Sequence, residues 1–384
     1  MRICVATGTR AEYGLLSPLM TAIKNEPGWQ LQVLVTGAHL SSEFGLTYQA
    51  IEKDGFTIDK KVEMLLSSDT PSSVVKSMGV GMLGYADALQ QLQPDMLVIL
   101  GDRYEMLSIA SSALIFNIPI VHIHGGEITE GAYDDAIRHS ITKMSHIHFA
   151  STEEYRKRII QLGENPDFVH NVGAIGVDFI TDLPQINKEA LEKELKIQFK
   201  KYNYQVTFHP STLDRASPES QFRVLLDAID EQEDSFFIFT KSNADTGGRI
   251  INHMIEEYVQ KNAAKSAAFS SLGNKTFLQL VKECDAIVGN SSSGILEVPS
   301  LKTATINIGD RQKGRIQAET VINTDVDRDA ILNAFEMVKD ENFRYKVRHA
   351  QNPYGEGNTA KQMIEVLRTV NLNDFQTKKF FDLK

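Results

Sequence analysis

The 384-residue chain predicts an α/β protein of two Rossmann-like domains facing a central cleft. Three observations predict this class. Short apolar runs alternate with amphipathic ones throughout, the alternation restarts after about residue 174, and the polar motifs all follow apolar runs. Short apolar runs between amphipathic segments are strands buried on both faces by crossover helices, which means parallel sheets. A chain this long exceeds one ordinary core, so about two domains are expected.

RICVATG opens the first series as a strand, followed by the helical LLSPLMTAIKN and the strand LQVLVTG. A long helix is expected near 72–93, then the strand DMLVILG, a helix from Tyr104, the strand PIVHIH, a helix from Tyr133 and the strand IHFA. These make a first domain over residues 1–174. After VGAIGVDFITDLPQ the charged helix NKEALEKELKIQF begins a new series with strands YQVTFHP, FFIFTKS, DAIVGN and TATINIG. They make a second domain over 175–365. Pro184 to Asn187 is a modest linker signal, and the final segment, 366–384, is free to pack back on the first domain.

The net charge of −10 and the lack of any basic run argue against nucleic acid and anionic membrane as partners. An anionic ligand must then be met by a few placed Arg and His residues. Cys4 and Cys284 lie in separate halves and read as reduced core thiols rather than a disulfide or metal site. No apolar run reaches membrane-spanning length, and the expectation is a soluble cytoplasmic protein.

Five motifs follow strands: TGTRAEYG, GDR, HGGE, HPST and GNSSSG. In parallel α/β folds the carboxyl ends of the strands are where ligands bind. GNSSSGILE reads as a strand, a turn, three hydroxyls and a helix start, which aims free N–H groups at a phosphate. Ser291 and Ser292 either flank that phosphate or only cap the helix, and Glu297, about one and a half turns in, is placed to accept from ribose hydroxyls. His209 in HPST is either a pyrophosphate donor or a structural histidine. Arg10 and Arg311 sit in loops after strands, where a guanidinium fork grips phosphate oxygens or makes an ordinary salt bridge. TGTRAEYG after the first strand is not a GxGxxG fingerprint and no GxxxxGK[ST] occurs, which disfavours dinucleotide redox chemistry and NTP hydrolysis.

Asp102 ends a buried strand, where a carboxylate is costly unless paired or used, and Arg103 follows it. Asp134, Asp135 and Arg138 open a helix, with Asp134 and Arg138 one turn apart. Acids in a first turn are also ordinary dipole partners. HIHGGE adds His122, His124 and Glu127 beside two glycines, with strand alternation expected to send both histidines to one face. No HExxH spacing accompanies them, so a metal site is not expected.

The ordered set TGTRAEYG, TGAHLS, GDRYEM, HIHGGE, DDAIRHSITKMSH, HPST, GNSSSGILE and IGDRQKGR resembles, over nearly the whole chain, the hydrolysing UDP-N-acetylglucosamine 2-epimerases of nonulosonic (sialic-type) acid biosynthesis. The resemblance implies a glycosyltransferase-B-like fold, no cofactor, no metal, and a dimer or tetramer. It implies conversion of UDP-N-acetylglucosamine and water to N-acetylmannosamine and UDP through a 2-acetamidoglucal. By the same resemblance Arg10, Arg103, His209, Asn243, Ser291, Ser292, Glu297 and Arg311 match nucleotide contacts, and Asp102 and Asp134 match acid/base positions. Glu127 and His124 are further proton-donor candidates beside Arg138. One position departs: some relatives carry a catalytic glutamate where this chain has His124. A histidine version is similar to the branch that acts on UDP-2,4-diacetamido-2,4,6-trideoxyglucose in legionaminic acid synthesis. The rival functions are a UDP-sugar glycosyltransferase, a non-hydrolysing 2-epimerase and a non-catalytic nucleotide-sugar sensor.

Overall fold

The computed structural model describes all residues except 67, 69, 130–132, 182, 184, 185, 211–215, 242–247, 271, 376 and 384. Pro184, Asn243 and residues 211 and 212 of HPST therefore lie outside the described residues. The chain divides into two units: Met1–Glu127 with Tyr133–Asp178 and Gly357–Lys384, and Ile128–Ala132 with Phe179–Glu356.

The first unit is built on β1 (Arg2–Thr7), β2 (Gln30–Thr36), β3 (Lys60–Val62), β4 (Met96–Leu100), β5 (Ile120–Ile123), β6 (Ile147–Ala150) and β7 (Val169–Asn171), paired in the order β3-β2-β1-β4-β5-β6-β7. Every described pairing is parallel. Alternation along a strand sends successive side chains to opposite faces. Ile3 and Val5 of β1 with Met96 and Val98 of β4 therefore enter one core, while Cys4, Ala6, Leu97 and Ile99 enter the core on the other face. Both layers are buried, which is why these strands read as unbroken apolar runs. The helix Thr359–Thr369 returns to this unit, burying Ala360, Met363, Ile364 and Leu367 in the first core. Its first turn is satisfied by the Asp178 carboxylate, which accepts from Thr359 N at 2.7 Å and Ala360 N at 2.8 Å.

The second unit repeats the plan with β8 (Tyr202–Thr207), β9 (Ser235–Thr240), β10 (Ser266–Phe269), β11 (Ala286–Gly289), β12 (Ala304–Ile308) and β13 (Val321–Thr324), in the order β10-β9-β8-β11-β12-β13. Tyr204, Val206, Phe237, Phe239, Val288 and Ile306 form its main core, with Phe335 closing over Tyr204 at 4.9 Å between ring centroids. Phe236 and Ile238 face the opposite side with Leu280. The α/β class expected from the sequence is thus found in both units. In each sheet the strand order reverses between two central neighbours, β1 and β4 in one and β8 and β11 in the other. Ligands of open parallel sheets bind outside the carboxyl ends of such neighbours. Cys4 and Cys284 are both free and buried.

Candidate functional site

In the first unit, β1 and β4 deliver Gly8 to Arg10 and Gly101 to Arg103 to their carboxyl ends. Arg10 opens the helix Arg10–Asn25 and is exposed, its side chain making no ion pair or hydrogen bond with a described residue. The helix start behind it is tightly built: the Glu12 carboxylate accepts Gly8 N at 2.7 Å and Thr9 N at 3.1 Å, while Thr9 caps Glu12 N. Gly37, at φ 58°, brings β2 so near that a Cβ there would lie 2.9 Å from Gly8 O and 3.1 Å from Glu105 Oε1. Glu105 is fully buried, and its two oxygens lie 3.3 Å from Nε and Nη2 of Arg103. Burial raises the Glu12 carboxyl to about 7, with Arg103 opposing and Glu105 adding to the rise.

Asp102 stands beside this group and is gripped by Arg138 Nη2. The Arg138 side chain is only 2% exposed against 21% for Asp102. The same guanidinium donates through Nη1 to Glu127 O at 2.9 Å and lies 3.8 Å from Asp135. Arg138 therefore ties the end of β4, the HIHGGE loop and the helix Asp134–Met144 together. Asp134, half-buried, begins that helix, one turn before Arg138.

The loop after β5 corrects one expectation. Alternation was expected to put His122 and His124 on one face, but β5 ends at Ile123 and His124 adopts φ 64°, a left-handed conformation costly for a side chain with Cβ. The two imidazoles consequently take different roles. His122 Nε2 lies 2.7 Å from Gly101 O and its Nδ1 lies 3.1 Å from Thr142 Oγ1, and burial pushes its pKa down to about 3. Neutral His122 therefore donates to the Gly101 carbonyl and holds the turn before Asp102. His124 Nε2 accepts the Ile175 N–H at 3.3 Å, which leaves Nδ1 to carry the proton 3.0 Å from Glu127 Oε1. Ser151 Oγ donates to the same oxygen at 2.8 Å. Glu127, 2% exposed, is thus held by His124 and Ser151, and the Nε2 face of His124 is turned to backbone rather than toward a ligand.

In the second unit, β8 and β11 bring His209 and GNSSSG to adjacent carboxyl ends. His209 is buried, and burial with the nearby Arg311 charge lowers its pKa to about 3. It is therefore a neutral ring. Arg311 Nη1 donates to Asn290 O at 2.9 Å. The helix expected after GNSSS is a single turn, Ser293–Leu296, with Ser292 at its N-cap and Glu297 at its end rather than inside it. Pro299 explains the stop, since its ring excludes the carbonyl of Ile295 four residues back. Ser291 and Ser292 are half-buried beside this turn, and Ser291 Oγ accepts Ser293 N at 3.4 Å. Glu297 is buried, at 8% exposure.

The structure links Asp102, Glu127, His124 and Arg138 in one network, places Arg103 next to it, and gathers His209, Ser291, Ser292 and Arg311 at the second switch point. Asn243 lies outside the described residues. Sequence reasoning missed Glu105, Ser151, Asn290 and Gln312. Asn290, Glu105 and Gln312 stood inside the quoted motifs GNSSSGILE, GDRYEM and IGDRQKGR but were passed over; Ser151 carried no signal beyond following a strand.

The family profile described as UDP-N-acetylglucosamine 2-epimerase matches residues 21–368. The chain is 45% identical over 383 residues, covering 100% of itself and 99% of the relative, to the GDP/UDP-N,N'-diacetylbacillosamine 2-epimerase (hydrolyzing) of Campylobacter jejuni. It is 40% identical, over 100% of itself and 97% of the relative, to the polysialic acid biosynthesis protein P7 of Escherichia coli. Among solved structures, UDP-GlcNAc 2-epimerase of Neisseria meningitidis, determined bound to UDP-GlcNAc, superposes with a TM-score of 0.82 at 17% identity, covering 96% of this chain and 100% of that one. That last likeness bears on the fold alone. The match across nearly the entire sequence, the parallel α/β units and the 45% relative together establish that the chain belongs to the UDP-N-acetylglucosamine 2-epimerase family, among its hydrolysing UDP-sugar 2-epimerases.

Proposed function

We propose that the protein hydrolyses and 2-epimerises UDP-2,4-diacetamido-2,4,6-trideoxyglucose, releasing UDP and the free 2-epimeric sugar. The C-terminal domain, 175–365, would hold UDP and the N-terminal domain, 1–174, would supply acid and base. A single observation carries the reaction: a carboxylate, Asp102, fixed by the almost fully buried Arg138 at the switch point of the first sheet. The substrate rests on the 45% relative named for N,N'-diacetylbacillosamine.

The C2 proton of a nucleotide sugar is not acidic until the C1–O bond to UDP weakens and the ring gains oxocarbenium character. Donors aimed at the diphosphate lower that barrier by stabilising the charge that develops there. Arg10, Arg103, His209, Ser291, Ser292 and Arg311 are the proposed donors, His209 acting through a neutral N–H. Asn243 completes the proposed nucleotide contacts, and Glu297 accepts from ribose hydroxyls. As UDP leaves, Asp102 or Asp134 takes the C2 proton and C1=C2 forms, giving a glycal. Water then adds its oxygen to C1 while C2 gains a proton on the opposite face. Glu127, kept in place by His124 and Ser151, fits the donor role better than His124, whose Nε2 is engaged by Ile175 N–H.

UDP-N-acetylglucosamine, giving N-acetylmannosamine, is the second reading, favoured by the name of the 40% relative. Turnover of the UDP-diacetamido sugar, its GDP counterpart and UDP-N-acetylglucosamine separates them. The UDP-diacetamido sugar is expected to have a kcat/KM at least about 10²-fold above UDP-N-acetylglucosamine, the margin by which an apolar pocket rejects an added hydroxyl. Preference for UDP-N-acetylglucosamine would establish the second reading, and hydrolysis of none would overturn both. We further propose a homo-oligomer in the cytoplasm. Val75, Met82 and Leu83 on the helix Pro71–Leu92, and Leu114, Ile115 and Phe116 at the end of Tyr104–Ile115, are exposed apolar side chains on two packed helices. No helix of the described residues is long and apolar enough to cross a membrane.

A further inference from the structure

We infer that Asn290 is a positioning residue that couples His209 and Arg311 into one pre-organised clamp for the ligand's diphosphate; this rests on the UDP reading above. Where β8 and β11 end, the ladder stops at the pair Gly289 and Thr207. A side chain at Gly289 would force the backbone to shift: φ is 131°, and a Cβ would lie 1.9 Å from Thr207 O. Beyond this close approach the Asn290 side chain takes over the ladder's task. Its Oδ1 accepts His209 N at 2.7 Å, and its Nδ2 donates to His209 O at 2.8 Å. One amide thus satisfies both main-chain groups of a residue 81 positions away, and it fixes where the His209 ring stands.

The main chain of Asn290 works on the other side. Its carbonyl accepts Arg311 Nη1 at 2.9 Å and Gln312 Nε2 at 2.9 Å. Asn290 is 2% exposed, and Gln312 is equally buried, so these bonds form away from competing water. The imidazole and the guanidinium are therefore held through one residue, His209 by its amide and Arg311 by its main-chain carbonyl, and losing the amide releases His209. A pre-organised pair costs less ordering on binding than two independent side chains. Asn290 itself need not touch the ligand.

Calorimetric titration of the full-length protein with UDP tests this as a double-mutant cycle. Asn290→Ala is expected to weaken UDP by at least about tenfold in the wild-type background and by less than about threefold when His209→Ala is already present, the non-additivity expected of residues in one network. Equal losses in both backgrounds, or no loss, would overturn the inference. Asn290→Asp, which keeps the acceptor for His209 N but sets an oxygen against His209 O, serves if the alanine variant does not fold, and the same non-additive loss is expected. Histidine NMR of the ligand-free protein gives a readout independent of UDP. In the wild type the His209 ring should stay neutral down to about pH 4; in either Asn290 variant it should titrate closer to the ordinary value near 6.5. An unchanged His209 titration would sink the inference even if UDP proved not to be the ligand, whereas absent UDP binding with a displaced titration would sink only the nucleotide.

Discussion

Replacing Asp102 by Asn removes one charge at nearly constant volume, so its consequences are worked from the Arg138 pair. Arg138 keeps Glu127 O at 2.9 Å and Asp135 at 3.8 Å, but loses the carboxylate on Nη2. A hydrogen bond to a charged group contributes about 1.5–3 kcal/mol. Asp102 is one-fifth exposed and Asp135 remains, so solvent screening places the loss near 2 kcal/mol. At about 2–4 °C per kcal/mol for a unit of this size, Tm should fall by roughly 4–8 °C, leaving a folded protein at 25 °C. Turnover should fall much further. If Asp102 takes the C2 proton, its loss costs about 10²–10⁴ in rate, or at least about 2.7 kcal/mol of barrier. Steady-state UDP release gives kcat, and UDP titration gives affinity, which should stay within about threefold because the proposed diphosphate donors are untouched. Turnover within tenfold of wild type, or UDP affinity falling in step with turnover, would refute the catalytic assignment and leave Asp102 a structural partner of Arg138.

Glu12 is held with its carboxyl raised to about 7, so the folded state keeps a proton that the unfolded chain has lost between its ordinary value and 7. Stability from this group is full below that window and lost as pH rises through it, worth roughly 3 kcal/mol. Relative to wild type, Glu12→Gln should therefore gain about that amount between pH 4.5 and 7.5 in urea denaturation; a constant difference would disprove the assignment. Gly289→Ala should cost more than about 2 kcal/mol, because overlap with Thr207 O adds to backbone strain, and a thermal shift below 2 °C would contradict it. Glu164, 2% exposed, accepts Lys143 at 2.6 Å and bonds His148 at 3.0 Å, with Lys378 at 2.8 Å pinning the C-terminal segment. Burial raises its carboxyl, but His148, Lys378 and Lys143 outweigh that and hold it below the usual range. Glu164→Gln should lower stability by about 3 kcal/mol at neutral pH, a difference that shrinks as pH falls through the carboxylate range, while kcat stays within twofold; an equal fall in kcat would tie this cluster to the chemistry.

The strands legible in the sequence are the inner ones. RICVAT, QLQVLVT, MLVIL, IVHI and IHFA, and their counterparts in the second unit, are sandwiched between layers and stand out as apolar runs. The four that escaped notice, β3, β7, β10 and β13, are all edge strands of three or four residues, KKV, VHN, SAAF and VINT. An edge strand is paired on one side and partly wet, so selection for apolar content is weak and periodicity gives no signal over so few residues. The site divides in a similar way. Residues whose type announces chemistry, such as Asp102, His209 and Arg311, could be named from their place after a strand. Asn290 works through both its amide and its carbonyl on groups 81 and 21 positions away, and Glu105 through an arginine two residues earlier. The Asn290 role is set by tertiary geometry, and the Glu105 role by a local pairing with Arg103 that residue type alone does not announce. The left-handed turn at His124 likewise has no local marker, since nothing about HIH distinguishes a strand that continues from one that ends at Ile123.

Proton NMR of turnover in D₂O bears most directly on hydrolytic 2-epimerisation through C2 deprotonation. With UDP-2,4-diacetamido-2,4,6-trideoxyglucose as substrate, free UDP should appear together with a free 2-epimeric sugar carrying deuterium at C2. A released sugar that keeps its C2 proton, or a 2-epimer still linked to UDP, would contradict it.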